Sequence, residues 1–146
     1  MSKISKGIVI AFLVLSLIGF LDAAFLTVEH YRGLPPPCSI LQGCEVVTTS
    51  KYSVVAGVPI ALPGALYYLA IFLMSFLYLD IKNPKLIFYA SFLAMAGFAV
   101  TLGLVYLQLF VLDAICLYCM VSAGITTTLF ILGVRVIKAG NTVPAN

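Results

Sequence analysis

The stretch ICLYCMVSAGITTTLFILGV, residues 115–134, carries no charged side chain and begins with two cysteines, Cys116 and Cys119, in Cys-x-x-Cys spacing. A helix rises 1.5 Å per residue, so about 20 apolar residues cross a hydrocarbon core about 30 Å thick. The two thiols would share one helix face near the positive end of the helix dipole, which lowers the pKa of a thiol. The stretch therefore predicts a membrane-spanning helix with a reactive cysteine pair at its start.

The whole chain has the composition of a membrane protein. Of its 146 residues, 63% are hydrophobic and 9% are charged, and the mean hydropathy is +1.18, outside the range of soluble globular domains. The sparse charges form no basic patch, so membrane lipid is an expected partner and nucleic acid is not. We predict a single all-α membrane domain over residues 1–146, a four-helix bundle with spans at residues 7–28, 59–79, 86–107 and 115–134.

The basic residues predict the orientation of this bundle. Six of the eight fall on one side of it: Lys3, Lys6, Lys82, Lys85, Arg135 and Lys138. By the positive-inside rule that side is cytoplasmic. We expect a multi-pass protein of the cell membrane with both termini in the cytoplasm and the cysteines on the outer face, where disulfides persist. A cleavable signal peptide is the alternative for the N-terminus, but the apolar run continues through Val28, which favours a span.

The predicted outer loop, residues 29–58, contains the other two cysteines, Cys38 and Cys44. Three prolines directly before Cys38 favour an extended lead into the pair. In residues 45–55, valines alternate with polar residues, a pattern that predicts a short amphipathic helix lying on the bilayer. Loop and helix together would cap the outer face of the bundle.

A few polar and aromatic residues lie within or beside the spans. Asp22 in the first span is expected to face the bundle or the interface, because an acid facing lipid is costly. His30 is the only histidine and is expected at the interface. Tyr67 and Tyr68 are expected to pack in the bundle or to lie in an aromatic belt.

The four cysteines admit three interpretations. They could be inert buried thiols, which are common in proteins. They could hold a structural zinc ion, although the five-residue spacing of Cys38 and Cys44 exceeds the usual two to four. They could form a dithiol/disulfide relay, which we favour because Cys-x-x-Cys is a redox spacing and the predicted compartment is oxidising.

The order of motifs resembles the vitamin K epoxide reductase family, and in particular its microbial homologues that make disulfide bonds. The resemblance covers about residues 7–134. It rests on Cys38 and Cys44 in C-x5-C spacing, Ser50 six residues later, Gly57 to Pro59, Pro63-Gly64, Tyr67-Tyr68, and the Cys116 and Cys119 pair at the start of the fourth span.

The resemblance implies a four-helix bundle around a quinone of the menaquinone or ubiquinone type, which accepts the electrons. Cys116 and Cys119 would be the active-site pair, with Cys119 reacting with the quinone and Cys116 exchanging with the loop. Cys38 and Cys44 would carry electrons from a separate thioredoxin-like (DsbA-like) protein. The implied activity is that of a quinone-dependent thiol-disulfide oxidoreductase.

The resemblance also implies a quinone pocket under the cap, to which we assign Ser50, Pro63 and Gly64 together with the thiol that reacts with the quinone. Members that reduce the epoxide carry a tyrosine four residues after the second cysteine of the pair and an asparagine in the second span. Ala123 and Ile60 stand at those places here, so the resemblance favours quinone reduction over epoxide reduction.

Two other proteins fit part of the pattern. The DsbB type of quinone-linked oxidase also has four helices, but its helical Cys-x-x-Cys precedes its loop pair, and here the loop pair comes first. A structural or zinc-binding four-helix membrane subunit with non-redox cysteines is the alternative from a different functional class. Zinc analysis and thiol trapping separate this alternative from an oxidoreductase, because a scaffold shows no redox-linked change in its cysteines.

Overall fold

The structure, a computed structural model, describes residues 4–33, 46 and 50–141. Its elements in chain order are α1 (Lys6–Arg32), a 3-10 turn (Lys51–Ser53), β1 (Val54–Val55), β2 (Val58–Pro59), α2 (Ala61–Ile81), α3 (Pro84–Tyr106), a π turn (Leu107–Val111) and α4 (Leu117–Asn141). Within the described ranges, four helices are long and apolar enough to cross a membrane. The predicted membrane helix bundle is therefore confirmed.

The four helices pack around a common core. The main contacts join α1 to α2, α2 to α3, α3 to α4 and α4 to α1. Sequential helices are adjacent, and the connections from α2 to α3 and from α3 to α4 are short, which gives an up-and-down bundle. The core is made of fully buried side chains, the largest of which are Tyr68, Phe12, Ile71, Ile87 and Leu129.

The outer surface of the bundle is apolar, as a lipid-facing surface must be. Large hydrophobic side chains on all four helices are at least half exposed, among them Ile10, Leu66, Phe92, Val100 and Ile131. In water such a surface would drive association, whereas lipid solvates it.

Two glycines let aromatic rings enter the bundle. A Cβ atom at Gly19 of α1 would lie 2.5–2.7 Å from ring atoms of Tyr68, and one at Gly97 of α3 would overlap the ring of Tyr67. Only a residue without a side chain permits these approaches. The glycines thus fix the depth at which Tyr67 and Tyr68 sit.

The turn between α2 and α3 is short and specified locally. Lys82 ends α2 in the left-handed conformation (φ 60°), and its N–H donates to Tyr78 O. Asn83 caps α3, its Oδ1 accepting the N–H of Lys85 at 3.1 Å, and Pro84 occupies the first helical position, which needs no N–H. These residues hold α2 and α3 antiparallel.

The segment leading into α2 differs from the predicted amphipathic helix over residues 45–55. Val54 and Val55 pair with Pro59 and Val58 in an antiparallel hairpin. The turn residues, Ala56 and Gly57, have φ values of 54° and 81°, the two positive φ angles of a tight hairpin turn. The helical prediction was wrong for Val54 and Val55, which form a strand, because it read the valines without the turn that follows them. Residues 51–53 form a 3-10 turn, and residues 45 and 47–49 lie outside the described residues.

Candidate active site

The start of α4 presents the cysteine pair. Cys116 directly precedes the helix, and its carbonyl accepts the N–H of Met120 at 3.0 Å, the first helical hydrogen bond. Cys119 lies one turn further along. Both are free thiols; Cys116 is buried and Cys119 is half-buried. The pair therefore stands at one end of the bundle, at the point where the last span begins.

A glutamine from the preceding turn anchors this helix start. Gln108 lies in the π turn and is 3% exposed. Its Oε1 accepts the N–H of Cys116 at 3.0 Å, and its carbonyl accepts the N–H of Ala114 at 3.0 Å. The π turn and the start of α4 are thus tied together through the side chain and the backbone carbonyl of one residue. Single π turns occur frequently at functional sites.

The pKa of Cys116 is lowered to about 7. The main cause is a hydrogen bond from the Cys119 thiol, and the backbone N–H groups of Cys119 and Tyr118 contribute further, while burial opposes them. The sulfur of Cys116 thus occupies the place of an N-cap, where the free N–H groups of a helix stabilise a negative charge. About half of the Cys116 thiols are ionised at neutral pH.

A cavity of about 170 Å³ opens beside the pair. Most of its lining is apolar and comes from all four helices and from the segment before α2, including Leu26, Ile60, Leu104, Val105 and Leu112. The polar side chains that line it include Asp22, His30, Tyr68, Gln108, Cys119 and Ser122. Apolar walls with a few convergent polar groups are typical of small-molecule sites.

One polar cluster joins α2 to α4 beneath the cysteines. The Tyr68 hydroxyl lies 2.6 Å from Ser122 Oγ and 2.7 Å from Thr126 Oγ1, and it can donate to the Ser122 carbonyl at 3.0 Å. Tyr68 and Thr126 are buried. Because lipid offers these groups no alternative partner, the cluster fixes the rotation of α4 and hence the direction of Cys119.

The comparison with known families identifies the protein class. The model described as "Vitamin K epoxide reductase family" matches residues 10–134, most of the chain. The chain belongs to this family. Its members are membrane oxidoreductases linked to quinones. A search of curated proteins found no match.

The structure brings part of the predicted family site together. Cys119, Ser50 and Gly64 all line the cavity, whereas Pro63 lies in the first turn of α2 and is not among its lining residues. Cys116 adjoins Cys119 from its buried position.

The remaining predicted positions are settled only in part. The loop cysteines, Cys38 and Cys44, lie outside the described residues. Ile60 and Ala123 both line the cavity. Both are apolar, so at these two positions the cavity wall offers no side-chain hydrogen bond.

Several site residues were missed by sequence reasoning. Tyr68 was expected only to pack, yet it also bonds to α4. A signal was present on α4, since Cys119, Ser122 and Thr126 are spaced by three and four residues and so share one helix face. Gln108 gave no signal, because only the π turn directs its side chain to Cys116.

Proposed function

We propose that this protein is a membrane thiol-disulfide oxidoreductase that supports disulfide bond formation. It oxidises a separate thioredoxin-like (DsbA-like) protein on the outer face and passes the electrons through two cysteine pairs to a quinone. The observation that carries the proposal is the free pair Cys116 and Cys119 at a helix start, with Cys119 lining an apolar cavity between the spans.

The two cysteines of the helical pair have different surroundings, which supports different roles. Cys116 precedes the span, and its lowered pKa favours the thiolate that re-forms the disulfide with Cys119 when the electrons leave. Cys119 lies one turn deeper and lines the cavity. In this proposal Cys116 exchanges with the loop, and Cys119 faces the quinone.

Each exchange transfers two electrons and two protons. A dithiol of the partner reduces the disulfide between Cys38 and Cys44 through a mixed disulfide, and the partner leaves oxidised. The loop thiols then reduce the disulfide between Cys116 and Cys119 in the same way. Against a partner near −120 mV, the loop pair must have a similar potential, because each 30 mV uphill costs about 1.4 kcal/mol.

The cavity fits the ring of an isoprenoid quinone of the menaquinone or ubiquinone type. Apolar side chains such as Leu104 and Val105 exclude water from it, and polar groups including Ser50 and Tyr68 can bond to carbonyl oxygens. When bound, the quinone supplies a two-electron, two-proton acceptor. In this proposal the protein holds the quinone against Cys119 and excludes water from the reacting thiol.

Quinone reduction is favoured over epoxide reduction at this site. Ile60 and Ala123 offer no side-chain hydrogen bond at the cavity wall. By the resemblance, members that reduce the epoxide have an asparagine and a tyrosine at these positions, and both side chains can donate hydrogen bonds. We assign the protein to the cell membrane, with the cysteines on the outer face and both termini in the cytoplasm.

The experiment uses purified protein, a quinone and either a reduced DsbA-like protein or a small dithiol as donor. Cys119→Ala is expected to abolish quinone reduction with both donors, because no thiol then faces the cavity. Cys38→Ala or Cys44→Ala is expected to block the protein donor only, because a small dithiol reaches the helical pair directly.

Equal loss of small-dithiol activity in both classes of variant would show that the relay order is wrong. Stoichiometric zinc, together with cysteines whose trapping does not change with redox state, would instead favour a structural subunit.

A further inference from the structure

Asp22 is an acid inside a membrane span for which the proposed electron path gives no role. It lies on α1 between Lys6 and Arg32 and lines the cavity. Its Oδ2 atom is inaccessible to solvent and has no hydrogen-bond partner among the residues that the structure describes. An unpaired carboxylate at this depth is costly. By contrast, Glu29, the other acid of α1, forms an ion pair with Arg32 at 3.1 Å.

The carboxyl group of Asp22 is close to the reacting thiols. Its charge acts on Cys116, on Cys119 and on the hydroxyl of Tyr68. It lines the same cavity as Cys119, from the neighbouring helix α1.

The other titratable groups at the cavity are less suited to proton transfer than Asp22, or their contribution can be tested with a variant of their own. They are His30 on α1, Tyr52 in the 3-10 turn, Tyr68 on α2 and Cys119 on α4; α3 contributes none. The Tyr68 hydroxyl is already engaged by Ser122 and Thr126. The ring of His30 lies at the end of α1, two turns from Asp22.

We propose that Asp22 carries the proton of quinone reduction. This role rests on the proposed function. The carboxylate accepts the proton of the Cys119 thiol and, as a carboxylic acid, donates it to a quinone oxygen, while a disulfide bond forms between Cys119 and Cys116. Asp22 ends each turnover as it began.

Atoms and electrons balance in this step. The S–H bond of Cys119 breaks, an S–S bond forms to the Cys116 thiolate, and the two electrons released reduce the quinone to quinol. One proton comes from Cys119 through Asp22. The second proton of the quinol comes from water at the outer face. It balances the proton that the Cys116 thiol lost to water when it ionised.

The test compares Asp22→Asn and Asp22→Glu with the wild-type protein, using a small dithiol and a soluble quinone. Asp80→Asn is the matched control, because it removes an exposed acid at the far end of α2, away from the cavity. Asp22→Asn is expected to slow quinone reduction at least about 100-fold, the contribution usual for a general acid or base. Reduction of the Cys116–Cys119 disulfide by the dithiol is expected not to slow, because a disulfide carries no proton for Asp22 to accept, and this also shows that the variant is folded. Asp22→Glu is expected to recover part of the rate.

The pH profile distinguishes proton transfer from a structural role. Both Asp22 and Cys116 must be ionised for turnover. In a plot of the logarithm of the wild-type rate against pH, the slope is therefore about two at pH values below the pKa values of both groups. In Asp22→Asn the slope becomes one, because only the thiol remains. His30→Gln keeps the slope of two.

A second readout needs no quinone. Infrared difference spectra of the reduced protein across pH are expected to show the C=O band of a protonated carboxyl in wild type and Asp80→Asn, but not in Asp22→Asn. The pH at which this band is half-maximal is expected to match one of the two pKa values in the pH profile of the rate. If Asp22→Asn does not fold, Asp22→Glu must move the band and that ionisation together.

Three outcomes would overturn the role of Asp22. One is an Asp22→Asn rate within about twofold of wild type; another is equal slowing of disulfide reduction and quinone reduction. The third is loss of the acidic ionisation in His30→Gln rather than in Asp22→Asn. A wild-type protein that exchanges disulfides but reduces no quinone would overturn the proposed function, and the role of Asp22 with it.

Discussion

Replacing Cys119 by alanine removes the thiol whose hydrogen bond is the main cause of the lowered pKa of Cys116. We expect the pKa of Cys116 to rise from about 7 toward the ordinary thiol value. Burial, which raises the pKa, and the backbone N–H groups of Tyr118 and residue 119, which lower it, then oppose each other at the sulfur. The matched variant is Cys119→Ser, which keeps a donor at the same place and should keep much of the lowering.

The size of the effect follows from the thiolate fraction. At pH 7 a thiol with a pKa of about 7 is about half ionised, and one at the ordinary value of about 8.5 is about 3% ionised. The alkylation rate of Cys116 at pH 7 should therefore fall in Cys119→Ala by up to about 15-fold. Cys119→Ser should fall between the wild type and Cys119→Ala.

The assay is alkylation of the reduced protein by a small membrane-permeant reagent across pH, with the Cys116 peptide quantified by mass spectrometry. Burial of Cys116 scales the rate at every pH alike, so it does not move the midpoint of the pH profile. The same midpoint in the wild type, Cys119→Ala and Cys119→Ser would refute the hydrogen bond between the two thiols as the cause. It would leave the helix N-terminus as the source of the low pKa.

Three further predictions test the bundle. An impermeant thiol reagent added to intact, reduced cells should label Cys38 or Cys44 but not Asn83→Cys; labelling at position 83 alone would reverse the proposed orientation. Tyr68→Phe should lower the free energy of unfolding in mixed micelles by about 1 kcal/mol through its lost bonds to α4, and an unchanged value would show that the cluster does not tie the helices. Gln108→Leu leaves a buried N–H at the start of α4 without a partner and should cost about 1–3 kcal/mol in the same assay, whereas Gln108→Glu, which keeps an acceptor, should cost less.

Sequence reasoning located the helices because their lengths and hydropathy follow from the thickness of the bilayer. The predicted span at residues 59–79 corresponds to Ala61–Ile81, and the one at 115–134 overlaps Leu117–Asn141. Sequence reasoning failed where a short turn overrides the alternation of apolar and polar residues. The alternating valines before α2 suited a surface helix, but Ala56 and Gly57 adopt positive φ angles and fold the segment into a hairpin.

The sequence by itself determined the membrane setting, the number of spans and the cysteine pair at the start of the last helix, since these depend on composition and spacing along one chain. Only the tertiary structure decided what surrounds the pair. The bond that the Cys116 N–H donates to Gln108, the contact of Tyr68 with Ser122 and the unpaired oxygen of Asp22 all depend on how separate elements pack together. In a bundle the rotation of each helix is set by its neighbours, and no local pattern encodes which polar groups of different helices meet.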